Sequence, residues 1–135
     1  MNGLKLDKND CAKMLAEKLP DGKILYSGHM EMYGEVLLHV LVGEMINIPL
    51  TELLKAGKEH EMIRLYCEVI EEMWRNGDED VVNAVEVSVL EYLTDNSEAW
   101  RCFGRHISHD FRCYINNVFI PANAHYLNAE KLKGK

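Results

Sequence analysis

The chain has 135 residues, of which 47% are hydrophobic and 27% are charged, and its formal net charge is −7. This size and composition fit one folded domain with a sizeable core and exclude a disordered chain. The acidic balance argues against nucleic-acid binding, which needs a positive surface, and it is compatible with a basic protein partner.

Nothing in the sequence predicts secretion or a membrane span. The first five residues lack the apolar stretch of a signal peptide, and the longest apolar-rich stretch, residues 36–50, is too short and too polar to cross a bilayer. The four cysteines form no CxxC pair, so we expect reduced thiols. These features predict a cytoplasmic protein without membrane contact. It would form one domain over residues 1–135, with the core at about 10–120 and a tail at 121–135.

The N-terminal third is predicted to hold two helices. Asp10 can cap a first helix over residues 11–19, which the turn-forming residues 20–22 end. After a short apolar connector, apolar residues recur at helical spacing over residues 29–47 and predict a second helix. Pro49 is expected to end it, because the residue before a proline avoids helical angles.

The clearest helix is predicted over residues 58–76, after a short helical turn that Thr51 caps and Gly57 ends. An apolar stripe at three- and four-residue spacing defines its buried face. Gly77 then stands where a left-handed C-terminal cap is expected. Asp78 follows at a position that favours capping of the next helix.

The last third is predicted to be helical throughout. Residues 81–93 alternate in part like a strand, but no second strand is in sight to pair with them, so we interpret them as a central buried helix. Asp95 with Glu98 predicts a capping box for a last helix over residues 97–118, which Pro121 closes. The sequence therefore predicts an all-α fold of five to six helices, arranged as an antiparallel bundle or as stacked helical hairpins.

Four cysteine and histidine residues share one face of the predicted last helix, and both residue types are zinc ligands. One rigid helix cannot surround an ion, so a metal site would need a ligand from elsewhere in the chain, such as His29, His39 or Cys67. A thiol nucleophile with a histidine base at the i, i+4 position is a further alternative. The favoured interpretation is that the set packs against a neighbouring helix or lines a partner interface, so no metal site and no catalytic residue is predicted. No phosphate-binding loop or dinucleotide fingerprint is present, and no cofactor is predicted. The set consists of Cys102, His106, His109 and Cys113.

Glu44 falls on the apolar side of the predicted second helix. A carboxylate on a core face is costly unless it is paired or hydrogen-bonded. The sequence therefore predicts Glu44 to be a structural buried acid that meets an arginine or caps a neighbouring helix, and a functional acid is the lesser alternative.

Two charged surfaces are candidates for binding a partner. One is a run of carboxylates along helix 58–76 and the loop after it, and the other is an arginine side of the last helix. Each is either an ordinary solvated face or a surface that complements a charged partner. The candidate partner-binding residues are Glu61, Glu68, Glu71, Glu72, Asp78, Glu79, Asp80, Arg101, Arg105 and Arg112.

Three segments resemble motifs of a small bacterial family of helical proteins. Residues 34–44, GEVLLHVLVGE, resemble its G-E-L-L-P-H-x-x-x-G-[DE] stretch. Residues 77–83 are similar to its G-D-E-D-V-x-N turn, and residues 87–93 to its V-S-F-L-E-N-L helix. The likeness covers roughly residues 30–115. The chain departs from the pattern at Leu38, where proline is common, and at Asn47, where a basic or aromatic residue is common.

Members of that family are often encoded beside polymorphic or contact-dependent toxins. The resemblance therefore implies an immunity protein, which binds a cognate toxin, expected to be basic, and neutralises it without catalysis or cofactor. A helical adaptor with another protein partner is the alternative. A metal- or thiol-dependent enzyme built on the cysteine–histidine set is a third hypothesis. The sequence leaves open the toxin, the binding face and the oligomeric state.

Overall fold

The computed structural model describes residues 5–122, which form seven helices and no strand. The all-α prediction is therefore confirmed, while the number of helices exceeds the predicted five to six. The central helix is α3, which lies against five of the other six helices, so the arrangement is not a simple up-and-down bundle. The helices are α1 (Lys8–Lys18), α2 (Gly22–Tyr33), α3 (residues 38–56), α4 (His60–Asn76), α5 (residues 79–94), α6 (Ser97–His106) and α7 (residues 109–122).

One continuous hydrophobic core joins all these helices except α2, which contributes only half-buried side chains. Fully burying one large apolar side chain contributes roughly 1.5–3 kcal/mol, so this cluster supplies most of the driving force for folding. No helix in residues 5–122 is both long enough and apolar enough to cross a membrane. The predicted tail lies almost entirely outside the described residues. The largest fully buried side chains are Trp100, Tyr66, Phe103, Phe111 and Phe119.

The prediction of one helix over residues 29–47 was wrong. Gly34 adopts a left-handed conformation with φ of +73° and ends α2, and an extended turn precedes α3. The turn is held by His29, whose Nε2 accepts the Leu37 N–H at 3.0 Å. At the start of the fold, Asp7 and not Asp10 caps α1, because its carboxylate accepts the Asp10 N–H at 2.8 Å.

The two prolines predicted to end helices lie inside helical segments. Pro49 follows a π-helical segment, Gly43–Asn47, and Pro121 follows another, Ile115–Phe119. In each case the N–H of the residue immediately before the proline bonds the carbonyl five residues back, which widens the turn. A proline lacks the N–H and its ring crowds the carbonyl four residues earlier, so a widened turn next to it relieves both problems. Helix α3 therefore continues past Pro49 and ends at Gly57, which has a left-handed conformation. The sequence predicted a helical segment to end at this glycine.

Gly77 closes the junction between α4 and α5, but not in the predicted left-handed conformation. Its φ is −76°, and its N–H still bonds the Met73 carbonyl. A Cβ at this position would lie 2.4 Å from both the Met73 carbonyl oxygen and a Val81 methyl carbon. The glycine is therefore required by close packing of the two helices rather than by backbone conformation. Asp78 caps α5 as predicted, accepting the Val81 N–H at 3.1 Å.

The predicted last helix over residues 97–118 is broken into α6 and α7. Ile107 and Ser108 have extended backbones, and the Ser108 hydroxyl caps α7 by accepting the Phe111 N–H. Asn96, not the predicted Asp95–Glu98 box, caps α6. The turn at residues 107–108 positions Ser108 against α4, which is where the candidate site forms.

Candidate functional site

An open groove of about 620 Å³ runs between α4 and the turn from α6 to α7. Sequence reasoning named several of its residues separately but did not bring them together. The wall along α4 carries charges of both signs, because Arg64, Glu68, Glu72 and Arg75 recur at helical spacing on one face. The opposite wall is formed by His106, Ile107 and Ser108.

The floor of the groove is a fixed carboxylate. Glu71, whose side chain is only 13% exposed, accepts the Ser108 N–H at 2.7 Å and the Ser108 hydroxyl at 2.6 Å. Arg75 donates to the same carboxylate at 3.2 Å. Hydrogen bonds to a charged acceptor are among the stronger ones in proteins, so this network ties the α6–α7 turn to α4. Glu71 therefore has a structural role in shaping the groove.

Arg75 is held in place at one end of the groove. Besides Glu71, its guanidinium contacts the Ser108 hydroxyl at 3.2 Å and Asp110 at 3.8 Å. The guanidinium carbon also lies 5.0 Å from the centre of the Trp74 ring, within cation–π range. These contacts immobilise an exposed arginine before any partner arrives.

The half-buried Trp74 is itself supported from below by aromatic rings. Its ring centre lies 4.7 Å from that of Phe111 and 5.2 Å from that of Tyr114. The Tyr114 hydroxyl donates to Glu86 on α5, and burial raises the pKa of that carboxyl above its usual value. The groove end is thus built on a stack that reaches from α4 through α7 to α5.

At the other end, two histidines connect α4 to α6. His60 and His106 stack with ring centres 5.1 Å apart, and His60 Nδ1 lies 2.9 Å from His106 Nε2. His106 Nδ1 lies 2.8 Å from the Cys102 carbonyl oxygen, which can only accept, so this nitrogen carries a proton. It therefore cannot take a proton from the Cys102 thiol, 3.9 Å away. Burial also raises the pKa of that thiol, which is opposite to the activation of a nucleophile.

The cysteine–histidine set is divided by the break between α6 and α7. Cys102 and His106 face α4. His109 and Cys113 form an exposed pair on α7, in which Cys113 Sγ lies 3.4 Å from His109 Nε2. Within residues 5–122, no three cysteine, histidine or acidic side chains come together in a way that could hold a metal ion. The four-residue stripe on one helix is therefore absent, although Cys102 and His106 keep their i, i+4 spacing within α6.

The predicted acidic run separates into two kinds of residue. Glu71 and Asp78 serve the fold as described, and Glu72 forms a surface ion pair with Lys18 at 3.1 Å. The remaining four are exposed, and within the described part of the chain their side chains form no hydrogen bond or ion pair. These are Glu61, Glu68, Glu79 and Asp80.

The predicted exposed arginine side of the last helix was wrong for Arg112. This side chain is 8% exposed, and it donates to the Ile107 and Gly104 carbonyls at 2.6 and 3.0 Å. Those carbonyls lie at the C-terminal end of α6, where orphan acceptors need donors. The continuous-helix prediction concealed this capping role, because it assigned the arginine to the wrong face. Arg101 and Arg105 are exposed on α6.

The prediction that Glu44 is a buried acid was also wrong, because Glu44 is exposed. The prediction treated residues 29–47 as one helix and assigned Glu44 to its apolar side. Because the chain turns at Gly34, that helical spacing does not continue into α3. The inward residues of α3 are Leu38, Leu41, Val42, Met45 and Ile46, so Glu44 points away from them.

Sequence reasoning missed a polar cluster at the crossing of α3 and α5. His39 Nδ1 lies 2.6 Å from the Ser88 hydroxyl, and the buried Asn47 donates to the Ser88 carbonyl at 3.2 Å. Ser88 lies in the π-helical segment Ala84–Leu90, where widened turns release carbonyls from the regular ladder. The only sequence signal was a polar residue, Asn47, amid an apolar stretch. The contacts fasten the two helices together.

The comparison with known families gives one match. The profile of a family described as a domain of unknown function, DUF7674, matches residues 12–121, so the chain belongs to this family. Among curated proteins and among solved structures, no match was found.

Proposed function

We propose that this member of the DUF7674 family is a protein-binding inhibitor, an immunity protein that neutralises a cognate toxin by direct contact through the groove along α4. The observation that carries the proposal is the preorganised charged groove, in which Arg75 is fixed by neighbouring side chains and is supported by Trp74 beside the groove. A binding surface that is already ordered loses little side-chain entropy when a partner docks.

The residue types at the Arg75 end of the groove suit protein recognition. Tryptophan and arginine are the side chains most often found to dominate interface energies. Here Trp74 and Arg75 are adjacent, and Arg75 is 44% exposed. Truncating either side chain would remove a partner contact at this end of the groove. The surrounding polar side chains would form the rim.

The charges favour a basic partner. Glu61 and Glu68 are exposed on the same face of α4 as the groove, and they form no ion pair with other described residues. The whole chain carries a net charge of −7. An acidic surface accelerates the encounter with a positively charged protein, and the acceleration falls with added salt. Arg64 and Arg75, on either side of Glu68, would restrict which basic surfaces fit.

The toxin assignment rests on the resemblance of residues 34–44, 77–83 and 87–93 to a toxin-associated family. Residues 87–93 lie within α5, and the other two segments lead into α3 and α5, the helices that pack against α4. An inhibitor needs an ordered surface of this kind and no reactive group.

The direct experiment is capture of the tagged chain with its bound proteins from its native bacterium. Recovery of the C-terminal domain of a large secreted protein, whose toxicity is relieved when this chain is co-expressed, is the expected result. Recovery of a partner without toxic activity would refute the inhibitor and favour the adaptor. If the chain fails to protect cells from any recovered protein, the proposal is wrong.

The docking surface is tested with the captured partner. The double substitution Glu61→Lys/Glu68→Lys should slow association on the order of 10- to 100-fold at low salt, and the difference should shrink at high salt. Glu35→Lys/Glu44→Lys makes the same change in net charge at exposed positions outside the groove. Equal slowing by both variants would show that only the overall charge matters.

A further inference from the structure

Helix α2 presents an apolar outer face that the rest of the described chain leaves uncovered. Ile24 and Met32 are each 74% exposed, the highest values among the large apolar side chains described. Gly28 lies midway between them and is also exposed. The three residues are spaced four apart, so they form one stripe along the helix.

Gly28 has no explanation within the described fold. Its φ is not positive, and a Cβ added to it would meet no atom within 4 Å. A glycine inside a helix costs roughly 1 kcal/mol relative to alanine, so it is expected where something else needs the space. A glycine between two larger apolar residues leaves a hollow into which another helix can pack closely.

The inner side of α2 is already occupied. His29 is buried and holds the turn before α3, and Leu25, Tyr26 and Met30 are half-buried against the core. Helix α2 packs on α1 and on the start of α3 and lies at the edge of the fold. Its stripe therefore faces away from the molecule.

The charges beside the stripe identify the occupant. Lys23, Ser27 and Glu31 are exposed and flank Ile24, Gly28 and Met32 on the same side, each one residue earlier. When two copies of a helix pack antiparallel about a two-fold axis at Gly28, the same flanks of both copies face each other. Lys23 of each copy then faces Glu31 of the other, and Ile24 packs on Met32.

We infer that this stripe is a self-association surface, on which α2 of a second copy of the chain packs antiparallel with Gly28 at the crossing. The sequence of α2 is complementary to itself in this arrangement in both shape and charge. A parallel arrangement would turn the flank with Lys23 and Glu31 towards the opposite flank of the second copy, so these two charges would not face each other. This inference is independent of the proposed inhibitor function.

The size of the stripe predicts a weak dimer. Twelve residues of helix extend about 18 Å, and a face about 10 Å wide gives roughly 200 Å² per copy, against about 800 Å² for a stable interface. Association should therefore appear only at high protein concentration. Sedimentation velocity of the full chain across a concentration series up to about 1 mM would measure it, since a dissociation constant in this range is accessible.

Charge exchange tests the arrangement. Lys23→Glu places two carboxylates opposite each other at both contacts, and Glu31→Lys places two ammonium groups there. Each single variant should dimerise roughly tenfold more weakly than the wild-type chain. The double variant, Lys23→Glu/Glu31→Lys, restores opposite charges and should recover dimerisation. An equimolar mixture of the two single variants should form mixed dimers.

Mixed dimers are the sharpest result, because both single variants remain strongly acidic overall and overall charge would keep them apart. Circular dichroism confirms that each variant is folded, and Lys13→Glu provides the same charge change on α1, with dimerisation expected to change little. The inference is overturned if the wild-type chain stays monomeric throughout the series, or if the mixture does not associate. It is equally overturned if the substitutions weaken capture of a different protein and leave self-association unchanged.

Discussion

The outer faces of α4 and α2 differ in how their side chains are held. On α4, Glu71, Arg75 and Trp74 are each fixed by contacts with the α6–α7 turn and the aromatic stack beneath it. On α2, the outward Ile24 and Met32 are left largely exposed by the other residues between 5 and 122. One helix presents an ordered charged surface, and the other presents an uncovered apolar one.

This difference follows from how much each helix buries. Helix α4 places a full apolar stripe in the core, including Ile63, Tyr66 and Ile70, so its orientation is set by packing. Among the residues of α2 only Gly22 and His29 are buried. A strongly amphipathic helix can position charged side chains accurately for a partner. A weakly anchored helix with outward apolar residues gains stability by being covered.

Substituting one glycine in each region should give the largest difference between the two helices in the free energy of unfolding. Gly77→Ala, at the end of α4, should lower the free energy of unfolding by about 3 kcal/mol, because the added Cβ would overlap the Met73 carbonyl and the Val81 side chain. Gly28→Ala, in α2, should raise it by about 0.5–1 kcal/mol, since alanine favours the helix and meets no neighbour.

Urea unfolding at low protein concentration measures both changes on the monomer. Opposite signs are the expected outcome. If Gly28→Ala is destabilising under these conditions, then α2 does not have the open outer face described. If Gly77→Ala is neutral, then the close approach of α4 and α5 at this junction is not required.

The second prediction compares two carboxylates one turn apart on α4. Glu71→Gln should lower the free energy of unfolding by about 2 kcal/mol, because the amide replaces a charged acceptor and brings a donor against the Ser108 N–H or hydroxyl. Glu68→Gln should change it by less than about 0.5 kcal/mol, because Glu68 is exposed and forms no ion pair with other described residues. Chemical denaturation of both variants at neutral pH makes the comparison. Similar losses at both positions would remove the distinction between a structural and a binding carboxylate.

Helix α4 was predictable because local signals and tertiary packing agree there. Its apolar stripe continues without interruption, and the Asp78 cap of the next helix is a local hydrogen bond. The stretch before it was not predictable in the same way. The turn at Gly34 interrupts the helical spacing, so the prediction assigned Glu44 to the wrong face. The widened turn that accommodates Pro49 lies where α3 packs against α5, a contact between distant parts of the sequence.

The groove could be predicted only as separate residues. Glu68, Glu71, Glu72 and His106 were all named from their charge or chemistry, but grouping them requires the break at Ser108. The apolar residues recur at helical spacing on both sides of Ser108, so the sequence pattern does not reveal the break. The α2 stripe escaped sequence reasoning for a related reason, because residues 23–27 were interpreted as a connector rather than as a helix with an outer face.

The smallest expected effect concerns the support beneath the α4 groove. Burial raises the folded-state pKa of Glu86 above its unfolded value, so the folded chain holds this proton more tightly. The resulting stabilisation is fully present below the unfolded pKa and is lost as the pH rises through the folded pKa. Glu86→Gln cannot ionise and keeps an acceptor for the Tyr114 hydroxyl, so the variant should gain stability relative to the wild-type chain between about pH 4 and pH 7.

Thermal or urea unfolding of both proteins at several pH values in that range gives the difference in their free energies of unfolding. We expect this difference to change in favour of Glu86→Gln as the pH rises. Glu98→Gln, at an exposed position on α6, is the matched control and should follow the wild-type chain. A Glu86→Gln difference that stays constant, or that declines with rising pH, would contradict a buried carboxyl at this position. In that case the aromatic stack would be open to solvent at its α5 end, and the charged face of α4 would be less firmly held than its contacts indicate.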